Sequence, residues 1–460
     1  MSRYFHSVML DQDKCKGCTN CIKHCPTEAI RVREGRAVII EERCIDCGEC
    51  IRICPNRAKL AITDPLERLA DYQYTIALPA PSLYAQFGPE VLPGSIIGAL
   101  LSMGFDEVYE VAVGAVAVSN ALHRYIESQS GHRPVISSAC PAVVRLMQVR
   151  FPGLLEHIAP VETPMEISAR LAREKARQEH DLPDNAIGVF FITPCPAKVT
   201  AIKQPFGERS YVDGAFSMSA IYGAVLRHLQ DVADAPPDSL SPALGVGWGK
   251  TGGENQAIKK HALLAVDGIH NVINVLEEIE RGGLTDIHYI EAQACTGGCI
   301  GGPLTPQNPF VARVRMERLL KVLAAGERPL PAFPDDPEYY RLAGPIPPRP
   351  TLKLSSDINR AIGMLEEVER ITAELPGLDC GSCGSPNCRA LAEDIVRGYA
   401  ESSYCVFKLR EKLQLLAREI VDLAHKQPPA MGKPEKHSKD SAIQNKNADQ
   451  QVGRKEGTDL

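Results

Sequence analysis

The chain has 460 residues, 44% of them hydrophobic and 23% charged, with a formal net charge of -6; that length suggests about three domains, and the charge gives no basic footprint for a nucleic-acid partner. The N-terminus lacks the basic start, apolar run and small-residue cleavage site of a secretory signal, and no run reaches the roughly 18 apolar residues of a membrane span. The expected compartment is therefore the cytoplasm, where disulfides are rare and sixteen cysteines read as metal ligands or catalytic groups.

In chain order, residues 1–65 are short-segmented and cysteine-dense. From 70 to 325 apolar runs alternate with amphipathic helical stretches, which predicts a large α/β domain with strands at 74–79, 106–111, 134–139, 186–193 and 287–293. Residues 326–354 are too proline-rich for regular structure and read as a linker or a surface strap. A helix starting at an N-cap, Ser356 or Asp357, opens a unit at 355–425 that holds the last cysteines and a terminal helix. That helix carries Val406, Leu409, Leu413, Leu416, Ile420 and Leu423 at heptad spacing, a surface for homodimerisation or a signalling partner over 405–425, against packing on its own domain. The polar tail, 426–460, is expected to be disordered.

The runs CKGCTNCIKHCP at 15–26 and CIDCGECIRICP at 44–55 each have the spacing C-x2-C-x2-C-x3-C-P. They resemble bacterial two-cluster ferredoxins, in which the fourth cysteine of each run crosses to the other cluster. The resemblance implies one 4Fe-4S cluster on Cys15, Cys18, Cys21 and Cys54 and another on Cys44, Cys47, Cys50 and Cys25. A pair of zinc knuckles is the rival reading, but zinc does not explain the third and fourth cysteines or their prolines.

The middle domain has four cysteines, Cys140, Cys195, Cys295 and Cys299, three of them where an apolar run ends. In an open α/β sheet the carboxyl ends of strands converge on the ligand crevice, so these distant residues can form one site. Buried structural cysteines are the plainer alternative, poor for a C-x3-C followed by Gly-Gly-Pro. SSACP at 137–141, TPCPAK at 193–198 and ACTGGCIGGP at 294–303 resemble, in order and separation, the cluster-binding signatures of FeFe hydrogenases.

That resemblance implies a 4Fe-4S cube on the four cysteines, with Cys299 bridging to a two-iron subsite carrying CO, cyanide and a dithiolate. Lys198 falls on the family's cyanide-binding lysine, Ala80 and Pro81 on the loop lining the subsite, and Thr163 on a cyanide-facing serine. The third unit, C-x2-C-x4-C-x16-C, resembles the small 4Fe-4S domain of corrinoid iron-sulfur and Rnf-type proteins and implies a fourth cube on Cys380, Cys383, Cys388 and Cys405. Tetrahedral zinc is the rival there. The implied fold is α/β and multi-domain: a ferredoxin-like α+β N-terminal domain, a large α/β hydrogenase domain and a small helical 4Fe-4S domain.

The sequence departs from the family where protons move. Ala139 stands in place of the cysteine that relays protons, Ala159 and Ala201 stand at other relay positions, and 114–125 contains no acid; Thr193 and Gln293 replace two methionines. Losing a positioned proton donor costs about 10²- to 10⁴-fold in rate. This pattern resembles the sensory and divergent branches of the family and implies slow turnover of H2 and protons, with a redox partner such as ferredoxin and with hydrogenase maturation proteins. A non-catalytic electron-transfer or cluster-biogenesis protein lacking the two-iron subsite is the alternative.

Overall fold

Strands β1 (Val8–Leu10), β2 (Ile30–Arg33), β3 (Arg36–Ile39) and β4 (Lys59–Ala61) make two antiparallel ribbons, β1 with β4 and β2 with β3, and the N-terminal cysteine loops hang between them. The computed structural model describes residues 4–128, 134–207, 209–232, 237–258, 262–326, 328–349, 351, 353–426 and 430. Of the predicted disordered tail only Lys426 and Ala430 fall among them. The chain divides into a unit ending at Glu401 and a second beginning at Ser402.

The large domain holds two parallel sheets. Its strands are β5 (Tyr74–Pro79), β6 (Glu107–Val108), β7 (Val135–Ile136), β8 (Ile187–Thr193), β9 (Gly214–Ser217), β10 (Leu263–Asp267) and β11 (Tyr289–Gln293). One sheet has the order β6-β5-β8-β9 and the other β10-β11-β7. Parallel strands need crossover helices, which cover both faces, so their strands read as continuous apolar runs. β8, IGVFFIT, is buried at every residue.

Strand ends and helix starts are written into the sequence as Cys-Pro and Ala-Pro. Cys140 and Cys195 are extended N-caps, and Pro141 and Pro196 open the helices Pro141–Arg150 and Pro196–Lys203. Proline forces the residue before it out of the helical region and supplies a pre-set φ at the first helical position. Each of these cysteines is thereby held at a strand's carboxyl end, facing the crevice.

The proline-rich segment is a strap on the core rather than a free linker. Glu162 N donates to Tyr340 O at 2.7 Å, Leu342 N to Pro160 O at 3.1 Å, and Gln148 Nε2 to Pro347 O at 2.7 Å. Asp357 is the N-cap of Ile358–Glu374, its side chain accepting from Arg360 N at 2.8 Å. The segment after it docks on the N-terminal ribbons: Val32 N donates to Gly384 O at 2.7 Å, and Asp394 receives Arg31 Nε at 2.6 Å and Arg33 at 2.7 Å.

The second unit contains the helix Val406–Ala424, with Cys405 as its N-cap. Among the described residues no helix is long and apolar enough to cross a membrane.

Candidate iron–sulfur site

The carboxyl ends of β5, β7, β8 and β11 deliver Ala80, Cys140, Cys195 and Cys295 to one crevice, and the turn after Cys295 brings Cys299 into it. Cys295 feels the charges of Cys195, Cys140 and Cys299, so the four sulfurs form one group. Gly298, at φ 88°, makes the closing turn possible: a Cβ there would lie 2.3 Å from Gln293 Oε1 and 2.7 Å from Thr251 N. Only glycine tolerates both the conformation and the approach.

Beside these sulfurs lies a cavity of about 60 Å³ lined by Ala80, Pro81, Ala139, Cys140, Thr163, Lys198, Gln293 and Cys299. Every residue assigned from the sequence to the subsite faces this one space. Met165, Trp248 and Glu254 also line it and were not foreseen. Thr163 caps the helix Pro164–His180, its Oγ1 accepting from Glu166 N at 3.3 Å. Lys198 Nζ donates to Ala139 O at 3.3 Å. Thr193 is turned inward on its own chain, donating to Cys195 O at 2.8 Å, and Ala159 and Ala201 are buried away from the cavity lining.

The electrostatics of this group fit a bound metal cluster. Burial works against the Lys198 ammonium, yet the sulfurs of Cys299, Cys195, Cys140 and Cys295 hold its pKa above the ordinary value. Those sulfurs favour the ammonium only as anions, yet burial, with the charges of Cys195, Cys140 and Glu291 and against that of Lys198, pushes the Cys299 thiol up to about 11. A metal that takes the sulfurs as thiolates satisfies both sides, and four thiolates are the donor set of an iron–sulfur cube.

Glu254 is the titratable acid of the cavity wall. Burial, reinforced by the charge of Glu291, pushes its carboxyl up to about 8. Ser137 donates to it at 2.9 Å and the Tyr289 hydroxyl also donates to it. Glu291, also raised by burial, accepts from Gly252 N at 2.9 Å and Asn255 N at 3.0 Å. It faces Lys250, which pairs with half-exposed Glu317 at 2.8 Å. A line of titratable groups thus runs from the cavity toward the surface. One signal was available in the sequence for Glu291: an acid inside the buried strand YIEAQ.

The eight N-terminal cysteines gather in one region. Cys44 and Cys47 each feel Cys50 and Cys25, while Cys21 feels Cys18 and Cys15. Cys21, Cys25, Cys50 and Cys54 all pack with Cys15 on the apolar cluster of Ile22 and Ile30, and Cys50 feels Cys25 and Cys21 alike. Cys25 and Cys54, the fourth cysteine of each run, have matching backbone donors, Ala29 N to Cys25 Sγ at 3.2 Å and Ala58 N to Cys54 Sγ at 3.3 Å. Arg52 joins this segment to the core: it donates to Gly301 O at 2.9 Å, and although burial works against its charge, Cys295, Glu49 and Cys47 hold its pKa above the ordinary value. Cys380, Cys383 and Cys388 lie in the first unit, where Lys23 Nζ reaches Asp379 O at 3.1 Å, and Cys405 lies in the second.

Three family models match the chain. The model for "Iron only hydrogenase large subunit, C-terminal domain" covers residues 73–303, half of the chain. A 4Fe-4S dicluster domain covers 7–55, and a model for an Fe-S cluster segment covers 375–407. The Periplasmic [Fe] hydrogenase large subunit of Nitratidesulfovibrio vulgaris is 25% identical over 385 residues, which cover 70% of this chain and 91% of that protein. Iron hydrogenase 1 of Clostridium pasteurianum is 26% identical over 381 residues, 66% of each chain. The cytosolic Fe-S cluster assembly factor narfl of Xenopus tropicalis is 22% identical over 220 residues, 37% of this chain and 46% of that protein. Among solved structures, the [FeFe]-hydrogenase HydA1 of Chlamydomonas reinhardtii aligns with a TM-score of 0.45 and 13% identity over 63% of this chain and 96% of that one.

Proposed function

Since the chain belongs to the family of the iron-only hydrogenase large subunit, we propose that it is a cytoplasmic iron–sulfur electron-transfer protein that binds and oxidises H2 reversibly with slow turnover, in hydrogen sensing or regulation. The observation that carries this reading is the convergence of four cysteines and Lys198 on one cavity at the strand ends. Cys140, Cys195, Cys295 and Cys299 would hold a 4Fe-4S cube, with Cys299 bridging to a two-iron subsite. When bound, that subsite supplies the metal chemistry of hydrogen cleavage. Lys198 would hold a cyanide ligand by a charge-assisted hydrogen bond. Ala80, Pro81 and Thr163 wall the cavity and exclude water.

Ala139 cannot carry a proton, and no acid stands on the helix Val111–Ser128 before Glu127. Glu254 takes over that role: it lines the cavity, its carboxyl titrates near neutral pH, and Glu291 stands behind it toward Lys250 and Glu317. A carboxyl at the wall in place of a thiol beside the cube is a less direct donor, which suits slow turnover. The remaining twelve cysteines would hold three further cubes feeding electrons from a carrier such as ferredoxin, and installing the subsite would require hydrogenase maturation proteins.

A second reading is favoured by the assembly-factor relatives: a non-catalytic protein with cubes and no two-iron subsite. Infrared spectra of protein coexpressed with the maturation enzymes separate the two. CO and cyanide bands that shift under H2 are expected; their absence from fully iron-loaded protein would leave the second reading standing.

A further inference from the structure

The helix Val406–Ala424 contains no buried residue. Its six heptad side chains, Val406, Leu409, Leu413, Leu416, Ile420 and Leu423, are between 41% and 65% exposed. Apolar side chains three and four residues apart form the a and d seam of a coiled coil; Phe407, Leu415 and Val421, also exposed, lie outside that seam. We propose that this helix pairs antiparallel with the same helix of a second copy of the chain, making a homodimer.

Orientation is set by the charges that flank the seam. With Val406, Leu413 and Ile420 at a, and Leu409, Leu416 and Leu423 at d, the flanking positions are Lys412 and Glu419 on one side and Arg410 and Ala417 on the other. In an antiparallel pair Val406 meets the partner's Leu423, Leu409 the partner's Ile420, and Leu413 the partner's Leu416. Each β-branched side chain then faces a leucine. In this register Lys412 lies across from the partner's Glu419, and two-fold symmetry makes the ion pair twice. A parallel pair would set Lys412 and Glu419 against alanines, Ala417 and Ala424, and neither charge would find a partner. The six side chains of two copies expose on the order of 1,100 Å², at the lower edge of specific interfaces. Most helical stability comes from packing of the apolar face, and this 19-residue helix has no buried residue, so pairing and helix formation support each other. The dimer is therefore one that dissociates on dilution.

Sedimentation of the full iron-loaded chain over a concentration series tests this. The wild type is expected to pass from monomer to dimer in the micromolar range. K412E sets like charges against each other twice and is expected to weaken association at least tenfold, as is E419K; K412E/E419K together restores it. L413E/L416E is expected to stay monomeric with its iron content unchanged. A wild-type chain that is monomeric throughout, or that associates only with another protein, overturns the proposal. Charge variants that leave association unchanged overturn the antiparallel orientation, and a double variant no better than the single ones overturns the Lys412–Glu419 pairing.

Discussion

Glu254 is held more protonated in the folded protein than in the unfolded chain, because burial and the neighbouring Glu291 raise its carboxyl from 4.5 to about 8. Ser137, Tyr289 and Lys198 pull the other way without cancelling the shift. The folded state then binds more protons than the unfolded state between those values, so this residue makes stability fall as pH rises from about 4.5 to about 8. Glu254→Gln should flatten that part of the stability profile, measured by denaturant unfolding across pH. The same variant should lower hydrogen oxidation about 10²-fold or more if Glu254 takes up the proton released from H2, with infrared bands unchanged. Activity that survives Glu254→Gln would move proton transfer elsewhere. Twelve of the cysteines were legible from their local spacing, and the four of the large domain, far apart in the chain, from the short signature around each. Glu254 was not, since its importance arises only when the helix Gly253–Ile258 meets β11.

The third cysteine-rich element is anchored by charge rather than by apolar packing. Arg31 and Asp394, both nearly inaccessible, pair through Nε at 2.6 Å and Nη2 at 3.1 Å, and Arg33 and Ser385 complete the carboxylate's shell. Removing one partner from a buried pair strands the other, at about 3–5 kcal/mol. Asp394→Ala should therefore release the segment around Gly384–Asp394 from the ribbons, seen as faster amide exchange there while β5 and β8 stay protected. A smaller loss is expected for a paired replacement of Arg31 and Asp394 by apolar residues of similar volume. The docking was not readable in the sequence, because Arg31 and Asp394 lie 363 residues apart. Four of the five parallel strands that were predicted are long apolar runs or end in a cysteine signature, and the fifth, β6, keeps only Glu107 and Val108 of its predicted 106–111; the unforeseen β9 is a four-residue GAFS and β10 is only half-buried. β7 keeps two of its six predicted residues, because after Ile136 the chain turns to present Ser137 to Glu254 and Cys140 to the crevice.

Across the first unit the N-terminal segment stands between the other cysteine groups. On one side Lys23, Val32 and Arg33 hold the turn that carries Cys380 and Cys383. On the other, Arg52 bonds Gly301, and Gly48 packs so tightly that a Cβ would lie 2.4 Å from Pro303. Under the proposed assignments the clusters of the first unit form a series, from the turn of Cys380, Cys383 and Cys388 through the N-terminal segment to the cavity. A series circuit loses throughput when any member is removed, but a reaction that needs no external electrons does not depend on it. Cys383→Ala removes one ligand of the first cube in that series, so iron content should fall by about four atoms per chain. Hydrogen oxidation with a protein carrier such as ferredoxin should drop at least tenfold. Exchange of H2 with deuterated water, which takes place at the cavity alone, should persist together with the infrared bands. If the carrier-linked rate is unchanged while the iron is lost, electrons reach the core through the N-terminal segment directly and the C-terminal unit serves another purpose. If exchange falls in parallel with the carrier-linked rate, the substitution has damaged the cavity, and the serial order is wrong.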